Sequence, residues 1–191
     1  FSAGTHSGVI QVVAQTVVGG RTLRSSPTQI TIYGGLPDPN SFTATLSTSN
    51  MPGLVKSGDL GTLNVQVGDK FGNPVQPGTA LYFSTTGGLV QASSTTDASG
   101  RASVTLQGGN PVPNEPSLGG PGHGFVTVQT VGENGVSILK SIPFLFSGAP
   151  TATFPAYGAG TLPPIADGGF LDVDYYVRDA NGNPISGGNN V

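Results

Sequence analysis

The side chains able to do acid–base, metal or nucleophile chemistry are few: ten carboxylates, two histidines and no cysteine in 191 residues. The missing cysteines exclude thiol catalysis, thiolate metal sites and a disulfide scaffold, and leave the compartment open. His6 and His123 both precede the same repeated strand in glycine-rich loops. A metal site needs further histidines or carboxylates at close spacing. Only Glu115 lies near His123 in sequence, so both rings read as solvated loop histidines. The serines form no Ser, His and acid set that stands out. Asp172, Asp174 and Asp179 are close together, and a glycosidase needs two opposed carboxylates in a cleft. Alternation puts Asp172 and Asp174 on the outward face, opposite Leu171, Val173, Tyr175 and Val177, where they are solvating charges. No catalytic or cofactor-binding residue is assigned, and no enzyme activity is expected.

Calcium is the strongest of the site chemistries. Asp179-x-Asn181-x-Asn183 looks like the opening of a calcium loop, and Asp38 in the linker Leu36-Pro37-Asp38-Pro39-Asn40 can join a site between domains. Against this, the related Asp69-x-Phe71-x-Asn73 loses one ligand, Pro follows where the loop needs Gly, and no Glu closes it. The preferred reading has no metal and no cofactor, only turn-forming Asp residues at a Pro-stiffened joint. Tyr33, Tyr82 and Tyr176 face outward by alternation, which permits a stacking platform for a glycan and gives it no further support.

The elements that carry these residues follow from composition. Gly (31) and Pro (16) make about a quarter of the chain, while Lys, Arg, Asp and Glu supply 9%, against about 25% in an ordinary soluble domain. Such a chain cannot build long helices and is expected to be all-β. Its apolar residues are β-branched and aromatic and stand in alternating runs, which separates it from disordered segments. A formal charge of -3 without a cluster of Lys or Arg leaves no footprint for nucleic acid or an anionic membrane. No apolar run reaches 18 residues, so no membrane insertion is expected. The chain opens Phe1-Ser2-Ala3-Gly4 and ends Asn190-Val191, as a processed product or a piece of something longer would.

An internal repeat organises the sequence. Val67-Gly68-Asp69-Lys70-Phe71-Gly72-Asn73-Pro74-Val75 recurs as Val177-Arg178-Asp179-Ala180-Asn181-Gly182-Asn183-Pro184-Ile185, with the common core V-x-D-x-x-G-N-P-[VI]. Val12-Val13-Ala14-Gln15-Thr16-Val17 pairs in the same way with Val126-Thr127-Val128-Gln129-Thr130-Val131. The two offsets, 110 and 114 residues, agree with one unit of domain size rather than a solenoid repeat. The expected division is 1–36 as the C-terminal strands of a preceding unit, 37–149 as a whole unit, and 150–191 as the N-terminal strands of a following one. Within the whole unit about seven strands are expected, with Phe42, Ala44, Leu46, Leu63, Val65, Val67, Leu81, Phe83, Ala102, Val104, Leu106, Val126, Val128, Phe144 and Phe146 inward. Leu89-Val90-Gln91 is one of the seven. Asp97 and Gly100 set a hairpin reversal in Thr95-Thr96-Asp97-Ala98-Ser99-Gly100-Arg101-Ala102.

The order of V-G-D-K-F-G-N-P-V, then Ala80-Leu81-Tyr82-Phe83, Gly87-Gly88 and T-D-A-S-G-R-A-S-V-T-L resembles the bacterial immunoglobulin-like repeat of the invasin and intimin type. The whole middle unit matches, and both partial units fit the pattern. The resemblance implies an immunoglobulin-like antiparallel sandwich in tandem, an extracellular or cell-surface location, and a spacer role beneath or between functional modules. It implies no catalytic residue. The glycine-, proline- and asparagine-rich stretch 108–124 is longer than such a loop needs and is a candidate contact surface. The expected partners are neighbouring repeats or identical chains head to tail, with host-surface or glycan contact as the binding alternative. Two strands without a second sheet cannot bury an apolar face, so neither partial unit is expected to fold alone. Head and tail of two copies would together still lack two or three strands, which favours a segment of a longer array over a self-polymerising subunit.

Overall fold

The computed structural model describes residues 4–155 and 163–187; the opening Phe1-Ser2-Ala3 and closing Asn190-Val191 lie outside them. Four short strands come first: β1 (Gly8–Val12), β2 (Gln15–Val18), β3 (Arg21–Arg24) and β4 (Thr28–Ile32). β1 pairs with β4 and β2 with β3, both antiparallel, so the four form one long hairpin. Its tip is Gly19-Gly20, with φ of 57° and 78°. Two consecutive positive φ values are what the two-residue type I′ turn demands, and glycine reaches them without strain. The ladder breaks at Val13-Ala14, where Ser25 takes over by donating its amide to the Ala14 carbonyl (2.9 Å) and accepting the Ala14 amide on Oγ (3.0 Å).

Nine of the next eleven strands build a two-layer sandwich. The eleven are β5 (Phe42–Leu46), β6 (Asn50–Met51), β7 (Gly58–Val67), β8 (Ala80–Thr85), β9 (Leu89–Val90), β10 (Ser93–Thr95), β11 (Arg101–Gly108), β12 (Asn114–Glu115), β13 (Gly120–Pro121), β14 (His123–Val131) and β15 (Ser137–Phe146). Of these, β12 and β13 pair with each other apart from the sandwich. One sheet has the order β10-β8-β14-β15-β6, antiparallel except for the parallel β15–β6 pair; the other has the order β5-β7-β11-β9. Alternation decides which residues meet between them. Phe42, Leu63, Val65, Val67, Val104 and Leu106 from one sheet bury against Leu81, Phe83, Val126, Val128, Phe144 and Phe146 from the other. Each such side chain removed from water contributes roughly 1.5–3 kcal/mol.

The all-β sandwich expected from the alternation is therefore present, with the inward residues as read, and its two sheets agree with the immunoglobulin-like form that the resemblance implies. The strands that were not foreseen are short ones, such as β6, β12 and β13, with two residues apiece and no alternation to detect. The Asp97 turn is not a hairpin: β10 belongs to the β8 sheet and β11 to the β7 sheet, so the turn carries the chain from one layer to the other. The 108–124 stretch is folded, with the β12–β13 pair flanking a 3-10 turn at Pro116–Leu118 and with Pro113 fully buried.

After the sandwich, β16 (Thr151–Thr153) pairs antiparallel with β17 (Tyr176–Arg178). Asp172 and Asp174 are exposed there and Leu171 and Val173 half-buried, as alternation requires. Tyr175 departs from that pattern: it was expected inward and is 63% exposed, touching the ring of Phe154 at 6.0 Å between centroids. Its ring rests on Phe154, just past β16, and not on the sandwich core.

Candidate functional site: the joints at the two ends of the sandwich

Three turns of the chain share one construction, D-x-x-G. In each, the Asp carbonyl accepts the amide of the Gly three residues on (3.0 Å at Gly72, Gly100 and Gly182), and that Gly takes φ of 81°, 72° or 79°. Oδ1 of the Asp accepts two more amides, two and four residues ahead. For Asp69 these are Phe71 and Asn73 (both 2.9 Å), for Asp97 Ser99 and Arg101 (2.8 and 2.9 Å), and for Asp179 Asn181 and Asn183 (2.9 and 2.8 Å). One carboxylate oxygen thus suffices to build the turn.

The other oxygen separates the three. Oδ2 of Asp69 accepts the amide of Gly35 at 2.8 Å, and Oδ2 of Asp179 accepts the amide of Gly148 at 2.9 Å. Both glycines lie in the segment that leaves a preceding strand pair, β1–β4 in one case and β14–β15 in the other. The fourth residue after the Asp completes the contact. Asn73 Nδ2 donates to the Thr5 carbonyl (2.8 Å) just before β1, and Asn183 Nδ2 donates to the Pro121 carbonyl (2.9 Å) just before β14. Each Asn also donates to Oδ2 of its own Asp, at 3.0 Å and 3.3 Å. At Asp97 the fourth residue is Arg101, whose side chain goes to Gln66 on the sheet surface at 2.9 Å. The second joint is the more buried, with Asp179 and Asn183 5% and 7% exposed and Gly148 covered; at the first, Asp69 is 2% exposed, Asn73 is half-buried, and Gly35 and Thr5 lie at the surface.

Burial pushes the Asp69 carboxyl up, but the Gly35 amide, the Asn73 side chain and the amides of Asn73 and Phe71 outweigh it and hold the group at about 2. Asp179 is lowered by the same balance, burial set against the amides of Gly148, Asn183 and Asn181 and the Asn183 side chain. Further bonds tie each joint. Ser7 donates its amide to Asn73 Oδ1 (3.2 Å) and Asp38 its amide to the Gly68 carbonyl (3.0 Å); at the other end Asn50 Nδ2 donates to the Pro184 carbonyl (2.9 Å) and the Ser186 amide to Ser147 Oγ (3.1 Å). A side chain at Gly34 would overlap the Pro74 carbonyl oxygen, so glycine is required there for close approach.

Of the calcium candidates, Asp38 and Asp179 accept N–H groups, while Asn181 donates its backbone amide to Asp179 and Asn183 donates both its backbone amide and its side-chain NH2. Asp179 faces amide hydrogens on both oxygens, and the Asn183 amide turns its NH2 rather than its oxygen toward Asp179 and Pro121. Asp38 caps the short turn Pro39–Ser41 by accepting the Asn40 amide at 2.9 Å. A calcium shell needs six to eight oxygens aimed inward, and among the described residues no three His, Asp or Glu side chains group as a metal site. Glu115 caps its own 3-10 turn through the Ser117 amide and hydroxyl, and no bond joins it to His123. His6 is exposed beside the Thr5 hydroxyl (3.2 Å), and His123 opens β14, half-buried. Tyr33, Tyr82 and Tyr176 are exposed as expected, but lie past β4, on β8 and on β17, so they form no single platform. The sequence reading treated D-x-x-G-N-P as a turn alone. It missed the joint because the partners are backbone groups, although Asn in both linked copies against Arg101 in the third was a visible signal.

No protein-family model matches the chain, and neither does any curated protein. Solved structures do resemble it. The D0-D1 domain of intimin is 19% identical with a TM-score of 0.39, over 73% of this chain and 64% of that one. The D00-D0 domain of intimin is 17% identical with a TM-score of 0.38, over 73% and 66%. The Yersinia pseudotuberculosis adhesin InvE is 18% identical with a TM-score of 0.38, over 74% of this chain and 41% of its own. The chain spans less than two thirds of the length of each. Among the described residues no helix is long and apolar enough to cross a membrane.

Proposed function

We propose that the chain is a non-enzymatic structural module of an extracellular or cell-surface bacterial protein, in which immunoglobulin-like units follow one another end to end as a spacer. The observation that carries this reading is the joint: the same Asp, Asn and linker Gly contact recurs at both ends of the sandwich. A unit that meets its two neighbours through one repeated contact is suited to serial extension, because every joint then has the same geometry. The hairpin of β1 to β4 is the counterpart of β14 and β15, and β16 with β17 that of β5 with β7. We assign the first to a preceding unit and the second to a following one. The partners are then neighbouring repeats, with identical chains joined head to tail as the other arrangement.

Light scattering across a concentration series, combined with small-angle X-ray scattering, tests this. A spacer gives a stiff particle of constant mass. Mass that grows with concentration replaces it with the head-to-tail fibre, and saturable binding on a glycan array replaces it with a binding module.

A further inference from the structure

We propose that the Asp and Asn of D-x-x-G-N are a docking socket, by which each unit grips the linker amide and the strand-leading carbonyl of the unit before it. The inference rests on the spacer reading and names the residues that make its joints. The socket has two points. The Asp takes an amide (Gly35 or Gly148) and the Asn gives to a carbonyl (Thr5 or Pro121). Two bonds of opposite donor sense to separate segments, the exit linker and the loop leading into the first strand of the preceding hairpin, fix rotation as well as distance. The sandwich carries the socket at one end, in Asp69 and Asn73, and the matching plug at the other, in Gly148 and Pro121. The partner of this surface is therefore another copy of the same kind of unit.

Asp97 is the internal control. It has the same turn and the same Oδ1 bonds, but with Arg101 in place of Asn it docks nothing. Sequence separates the two classes: D-x-x-G-N closes a turn and a joint, D-x-x-G-R a turn only.

Because the two carboxylate oxygens divide the work, Asp69→Asn separates the roles. The remaining oxygen can still accept the Phe71 and Asn73 amides, while an NH2 replaces the acceptor at Gly35. Amide exchange followed by NMR on the full chain is the readout. Gly35 should exchange roughly 10- to 100-fold faster in Asp69→Asn, the loss expected for a bond to a charged acceptor, while Phe71 and Asn73, which keep an oxygen acceptor, change clearly less. Asn73→Ala provides a second variant that leaves the turn's backbone bonds in place; there the Ser7 amide should speed up. Asp97→Asn should leave Gly35 and Ser7 as they are. Unchanged Gly35 exchange in Asp69→Asn, or equal loosening by Asp97→Asn, overturns the socket. Glycan binding or concentration-dependent growth overturns the spacer and leaves the socket standing, so the two failures are distinguishable.

Discussion

Asp69 shows what a single carboxylate contributes when its oxygens have different partners. Oδ1 closes a five-residue turn and Oδ2 holds a linker 34 residues away. A group held at about 2, against an ordinary value near 3.9, stabilises the state that binds it ionised. That stabilisation is complete above the ordinary value and is lost as pH falls through about 2. The other ionisable groups around this cleft are His6, Tyr33, Lys70 and Glu133. Lys70 pairs with Glu133 at 3.0 Å with both side chains half in water, an arrangement that contributes little. Titrating the Gly35 amide by NMR from about pH 5 downward should therefore give a transition near 2, with the signal moving toward that of a free amide. In Asp69→Asn the same amide should show no transition in that range. A wild-type midpoint near the ordinary carboxylate value would mean that Oδ2 is not bound to the linker in solution.

Among the elements, legibility follows burial and length. Leu63, Val65 and Val67 on β7 and Val126 and Val128 on β14 announce themselves by alternation, because a strand with one face in the core must repeat every second residue. A two-residue strand such as β6 has no period, and its place beside β15 is fixed by Met51 filling the core rather than by any local pattern. The joint was illegible for a different reason. Gly35, Gly148, Thr5 and Pro121 take part through backbone groups, which every residue has, so only the Asn residues left a trace. The same physics separates equal side chains on different elements. Leu106 on β11 is fully buried, and Leu23 on β3 is 55% exposed. Leu106→Ala should cost about 2–5 kcal/mol through lost transfer energy and a cavity. Leu23→Ala should stay within about 0.5 kcal/mol, as surface changes do. Denaturant melts of the two variants read the difference; equal losses would mean that the β1 to β4 hairpin is covered by something in solution.

For the whole molecule, the question is what stiffens a chain of sandwiches. One solution is an ion bound between carboxylates at each joint; in the proposed spacer, amide hydrogens around Asp69 and Asp179 take that place. Asp179 meets three backbone N–H groups and the NH2 of Asn183, so a calcium ion would first have to displace donors that already neutralise the charge. The two solutions differ in a measurable way. An ion held with a Kd of about 1 mM, typical of extracellular modules, would at about 10 mM add roughly 1.4 kcal/mol to the native state. For a chain of this length that is a rise of roughly 3–6 °C in Tm. Thermal melts from zero to about 10 mM calcium should show no such rise, and chelator should leave Tm unchanged. Asp69→Asn should act where calcium does not, with an earlier loss of the β1 to β4 hairpin while the sandwich keeps its own Tm. A concentration-dependent rise with calcium in the unaltered chain would place the ion, and not the amides, at the joint.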